Sequence, residues 1–135
     1  MPTYPTRVTS FICEDLRQEV GKKATLLGVN FGHWVNVLPS APERSALNLG
    51  FLFVFHDGEG DFTAKFELTG PDGPVGEQPA AMTSHKPPEL PMVFFLQFRP
   101  TVPIPRGEYV ASLTLSGTRF ELRFGIRSEP SLPNS

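Results

Sequence analysis

The chain has 135 residues, among them 12 Gly, 15 Pro and 12 Phe, with 39% hydrophobic and 19% charged residues and a formal charge of −2. So many helix breakers exclude a coiled coil, and the aromatic content with modest charge excludes a disordered chain. The weakly acidic balance lacks the basic character of phosphate-neutralising domains, no apolar run approaches the roughly 18 residues of a helical membrane span, and the length suits one domain.

Residues 1–6 read as a flexible end and 7–13 as the first strand. The stretch 14–22 is polar and turns near Val20-Gly21-Lys22, so a second strand follows at 23–31, and 33–38 extends it past Gly32 with a bend or bulge. Residues 39–46 are a short loop, and 47–55 are apolar on both faces, the mark of a central or covered strand. Asp57-Gly58-Glu59-Gly60 reads as a hairpin into 61–69, where Phe62, Ala64, Phe66 and Leu68 alternate with Thr63, Lys65, Glu67 and Thr69. Gly70-Pro71-Asp72-Gly73-Pro74 is a turn by composition. Residues 79–91, with prolines at 79, 87, 88 and 91, read as an irregular crossover loop, and 92–98 are again apolar on both faces. After a loop at 100–106, residues 108–115 turn Tyr109, Ala111, Leu113 and Leu115 inward. Ser116-Gly117 is a two-residue hairpin, and 118–127 set Phe120, Leu122, Phe124 and Ile126 against Arg119, Glu121, Arg123 and Arg127. Residues 129–135 read as a frayed end. The expected fold is all-β, an antiparallel seven- to eight-stranded sandwich or barrel in a single domain, 1–135.

The run Phe11-Ile12-Cys13-Glu14-Asp15-Leu16-Arg17-Gln18-Glu19-Val20-Gly21-Lys22-Lys23, continuing into an apolar strand that reaches Gly28-Val29, resembles the N-terminal signature of a functionally uncharacterised bacterial family of small β domains. That signature has an acidic pair, an Arg, a Glu, a Gly and a Lys before an apolar strand closing in Gly, and Lys22 stands where it has a second Gly. Pro105-Arg106-Gly107-Glu108-Tyr109 followed by a hairpin is similar to the closing strands of immunoglobulin-like bacterial domains. The resemblance implies an immunoglobulin-like sandwich in the cytosol and brings no activity or functional residues with it.

The single cysteine, Cys13, cannot form an internal disulfide, and the chain start lacks the basic and apolar regions of a signal peptide, which together favour the cytoplasm. Beside Phe11 and Ile12, Cys13 reads as a buried thiol rather than a nucleophile, which needs a base and an electropositive setting. His33, His56 and His85 are far apart, and no catalytic motif appears. Asp57, Glu59 and Asp61 alternate like the start of a calcium loop, but Phe62 occupies the position needing Gly and Leu68 that needing an acid. His56 lacks the Cys/His pairs of a zinc site. The expectation is a protein that is not an enzyme and has no metal and no cofactor.

Two groups of residues stand out. Asp15, Arg17 and Glu19 share a parity if the polar stretch is a strand, so Arg17 can fork between the two carboxylates. A structural ion network is the favoured reading and a recognition edge the other. Arg119, Arg123 and Arg127 line one face of the last strand, without the interleaved aromatics of a nucleic-acid groove. The apolar excess is the stronger clue: Leu52 and Val54 on one strand, and Val93 and Phe95 on another, lie opposite the core sets Phe51, Phe53, Phe55 and Phe94, Leu96, Phe98. The reverse parity would exchange the sets. If the strands are neighbours, the second face is either an outward patch for a partner or is covered by the Pro-rich loop with Trp34.

The functional expectation is a non-catalytic protein–protein interaction module, its partner another protein or itself as a homo-oligomer, without nucleic-acid or membrane partners. A small-molecule or glycan binder built around Trp34 is the first alternative, and a hydrolase-type enzyme stands last.

Overall fold

In the computed structural model, residues 3–19, 23–27, 29, 32–37, 44–45, 48–76, 81–98 and 103–128 are described, with the backbone alone for 15–19, 23–25, 27 and 44–45. Among them there is no helix, and the fold is all-β. The long alternating segments form the long strands, β7 (Gly60–Gly70), β12 (Gly107–Leu115) and β13 (Thr118–Ser128). Period-two alternation can bury one complete face only in a strand. Phe62, Ala64, Phe66 and Leu68 of β7 are at most 1% exposed, whereas Thr63, Lys65 and Thr69 face solvent.

One sheet has the order β1 (Val8–Cys13), β6 (Leu49–Phe55), β10 (Met92–Phe98), all antiparallel. The other runs β4 (Trp34–Val37), β13, β12, β7, β8 (Gly73–Pro74), with β9 (Met82–Lys86) also on β7. Within it β4 pairs parallel to β13 and the remaining pairs are antiparallel. Their inner faces share one core: Phe51 meets Phe66 and Phe124 with ring centroids at 5.3 and 5.7 Å, and Phe66 meets Phe98 at 6.3 Å. Two small ladders complete the described residues, β2 (Asp15–Glu19) with β3 (Lys23–Leu27), and β5 (Arg44–Ser45) with β11 (Ile104–Pro105).

The Ser116-Gly117 turn is the two-residue hairpin expected, both residues having positive φ (44° and 107°), as a type I′ turn requires. Two expectations are corrected. Asp57-Gly58-Glu59-Gly60 is no hairpin, because β6 and β7 lie in different sheets. It is a crossover, with Gly58 and Gly60 at φ 83° and 124° redirecting the chain so that both phenylalanine rows meet from opposite layers. The stretch 79–91 is not wholly irregular. Its prolines at 79 and 87 bracket a proline-free segment that becomes β9, at the sheet edge where neighbouring prolines cost no ladder bonds.

Residues Thr3–Thr6 of the expected flexible end are tied down. Thr3 exchanges backbone hydrogen bonds with Glu59 (2.9 and 3.0 Å), and the Tyr4 hydroxyl donates to the Ser116 carbonyl at 3.0 Å. The Asp57 carboxylate accepts from the Thr6 and Arg7 amides, both at 2.8 Å, and from the Thr6 hydroxyl. The Thr6 hydroxyl first, then the Arg7 amide, hold the Asp57 carboxyl far below its ordinary 3.8. A depressed carboxylate stabilises above its unfolded pKa and loses that contribution as pH falls toward its folded value. The Thr6 and Arg7 amide resonances are therefore expected to hold constant from pH 7 to about 4 and to shift progressively below. In Asp57→Ala they sit at the released position throughout, and an acid step that survives this substitution would assign the titration to another group.

Candidate interaction surface

The register places the apolar residues singled out above on one outer face. Val54 is opposite Val93, and Leu52 opposite Phe95; β1 adds Thr9 beside Val54 and Phe11 beside Leu52. The core parity is the one expected: Phe51, Phe53 and Phe55 are at most 1% exposed, and Phe94, Leu96 and Phe98 are buried. Exposure across the outer face is graded. Leu52 is buried at 6%, Phe11, Val54 and Phe95 are half-buried, and Val93 on the edge strand is exposed at 37%. Leu52 therefore lies beneath the surface rather than on it. At the far end, the Gln97 amide donates to the Glu14 carbonyl at 3.2 Å, so the chain leaving β1 crosses over this face there.

Trp34 does not belong to that surface. Its strand is the edge of the other sheet, and the register Trp34–Gly125 puts the indole on that sheet's outer side. A Cβ on Gly125 would stand 2.5 Å from the ring's Cε3, so glycine there makes the indole's seat. The Arg127 guanidinium lies 5.0 Å from the ring centroid while its Nε donates to Asn36 Oδ1 at 3.0 Å. His33 packs edge-on at 5.0 Å, and its Nε2 is 3.3 Å from the Glu108 carboxylate. Trp34 could not reach the expected position because its only strand partner, β13, is distant in sequence and belongs to the opposite layer.

The arginine row of β13 is interlocked. Glu121, on the same face, accepts from Arg119 Nε and Arg123 Nη2, both at 2.9 Å. The backbone of Asp15, Arg17 and Glu19 forms a strand, paired with Leu27, Thr25 and Lys23 respectively, while their side chains lie outside the described residues. β1 stops at Cys13 and the chain bends at Glu14, so the polar stretch is a separate hairpin arm rather than a continuation of the first strand.

The histidines are dispersed: His56 Nε2 lies 2.7 Å from the Thr9 hydroxyl and His85 Nδ1 2.7 Å from Asp61 Oδ1, with His33 across the sheet from His85. Asp57, Glu59 and Asp61 also diverge, engaged with Thr6 and Arg7, Thr3, and His85 respectively. Cys13 is 2% exposed, and among the described residues no group of three or more acids, histidines or cysteines could hold a metal ion. No helix is long and apolar enough to cross a membrane.

One residue escaped the sequence reading. Lys86, at the end of β9, is wholly buried on the side of Phe62 and Ala64, and its ammonium donates to the Pro87 carbonyl at 2.9 Å. The alternation of β9 puts Met82, Ser84 and Lys86 inward, a signal visible only once 82–86 is recognised as a strand. No carboxylate pairs with the ammonium among the described residues, and a buried charge with one neutral acceptor costs more than a hydrophobe of similar shape. Lys86→Met is expected to raise the melting temperature, by about 2–4 °C per kcal/mol gained. A fall would show that the ammonium is needed to hold the Pro87 turn.

No family model, curated protein sequence or solved structure matches the chain.

Proposed function

We propose that the protein is a non-catalytic protein–protein interaction module built on an immunoglobulin-like β-sandwich of the bacterial cytoplasm. The fold reading is supported by strand order. Strands β1, β6 and β10 follow the A-B-E arrangement, and β13, β12, β7 and β9 follow G-F-C-C′. Tyr109, near the start of β12, donates its hydroxyl to the Pro105 carbonyl four residues upstream, the geometry of a tyrosine corner. The cytoplasmic reading rests on the lone cysteine and the composition of the chain start.

The observation that carries the interaction reading is the apolar outer face, where Val93 is exposed beside half-buried Val54 and Phe95. Contiguous apolar surface on a sheet already buried on its other side has no role in the core and marks an association site. A glycan platform at Trp34 is less favoured, because Gly125, Arg127 and His33 already occupy the indole. The test compares native protein with Val93→Asp as bait in source-cell extract, after confirming equal melting temperatures. Partners retained by the native bait and lost from the variant support the reading. Identical retained sets, with no change in self-association, overturn it.

A further inference from the structure

We propose that β10 is a pairing edge and that its occupant is the β10 strand of a second copy of this chain, aligned antiparallel about Phe94 and Phe95. This rests on the interaction reading and gives it a partner and a geometry. The three-stranded sheet ends at β10, whose only strand partner among the described residues is β6. Immunoglobulin-like sandwiches cover this side with a further strand, but here β9 ends at Lys86 and β10 begins at Met92, and the five residues between them are too few to supply one.

Natural edge strands are guarded by charges, prolines, bulges or brevity. The other edges show such guards: β4 is four residues long beside Arg127, and β9 carries His85 and Lys86 and runs into two prolines. β10 is seven residues, Met92-Val93-Phe94-Phe95-Leu96-Gln97-Phe98, without charge, proline or glycine. That composition is the one that pairs strand to strand most readily.

A second copy fits for reasons of charge and continuity. Antiparallel self-pairing brings no like charges together within the strand, and sequence polarity favours it: Glu89 precedes β10 and Arg99 follows it, so the acidic end of one strand meets the basic end of the other. A parallel arrangement would align like charges. The pairing is isologous, as two-fold dimers require. It also extends the row of Leu52, Val54, Val93 and Phe95 into its symmetry mate, covering Val93.

The experiment measures light-scattering mass and amide exchange over a series of protein concentrations, for the native chain, Val93→Lys and Thr83→Lys. Val93 lies on the proposed edge, and Thr83 is an exposed residue on the opposite edge. Mass is expected to double from 14.9 kDa, with exchange in β10 slowing as the dimer forms while β1, the other edge of the same sheet, is unchanged. Val93→Lys is expected to remain at 14.9 kDa at the same concentrations and Thr83→Lys to dimerise like the native chain. A native chain that stays at 14.9 kDa throughout overturns the self-pairing, while leaving a different protein as the partner of the outer face. A dimer whose formation protects β1 and β10 alike, or survives Val93→Lys, overturns the edge geometry and leaves association through another surface. A monomer whose extract partners are also indifferent to Val93→Asp overturns both readings.

Discussion

Phe66→Ala is expected to cost about 3–5 kcal/mol, the range for removing a fully enclosed aromatic ring. Phe66 is 1% exposed and lies between the layers, with Phe51, Phe53 and Phe98 at centroid distances of 5.3, 6.4 and 6.3 Å. All three neighbours belong to the three-stranded sheet, so the ring joins the two layers rather than filling space within one. Domains of this size have roughly 5–15 kcal/mol in total, and the substitution removes a large part of it. The urea midpoint is expected to fall accordingly at unchanged slope. Phe120→Ala provides the contrast: Phe120 is half-buried and meets Phe55 at 5.0 Å, so its loss is expected to be distinctly smaller. Equal losses would mean that the layers are held together elsewhere.

Gly70→Ala adds one methyl group and is expected to cost about 1–3 kcal/mol by overpacking. The new Cβ would fall 2.8 Å from Tyr109 Cδ1 and closer still to Cε1. The ring has little freedom to withdraw, being 1% exposed, stacked on Phe124 at 5.5 Å and 18°, and held by its hydroxyl on Pro105. The Gly70 backbone is not in the left-handed region, so the penalty is steric. In a Tyr109→Leu background the same change is expected to cost little, and the difference between the two backgrounds measures the clash. An equal cost in both would place the strain in the turn instead.

Strands with one wet and one dry face were legible because alternation records burial directly, as in β7, β12 and β13. The doubly apolar segments were correctly paired as neighbours and given the right inner face, since only one parity supplies an unbroken phenylalanine row. Partner choice was not legible. Asp57-Gly58-Glu59-Gly60 has the composition of a hairpin, and local turn chemistry does not state which sheet the next strand joins. Trp34 was assigned to the wrong layer for the same reason, its place depending on Gly125, ninety-one residues later. β9 was hidden by flanking prolines, and with it the burial of Lys86. Leu52 shows that facing away from the core does not ensure exposure when bulky neighbours flank it on both adjoining strands.

The parallel pairing of β4 with β13 has a consequence for the order of assembly during synthesis. Trp34–Val37 has no other strand partner among the described residues, so this early segment stays without a ladder until Thr118–Ser128 has been made. β12 and β13 form a local hairpin and can join β7 quickly, but the final closure spans most of the chain. Non-local pairings of this kind place β-proteins in the millisecond-to-second range of folding times. Until closure the Trp34 indole lacks its seat on Gly125, so its fluorescence would report the last step of folding separately from the formation of the phenylalanine core.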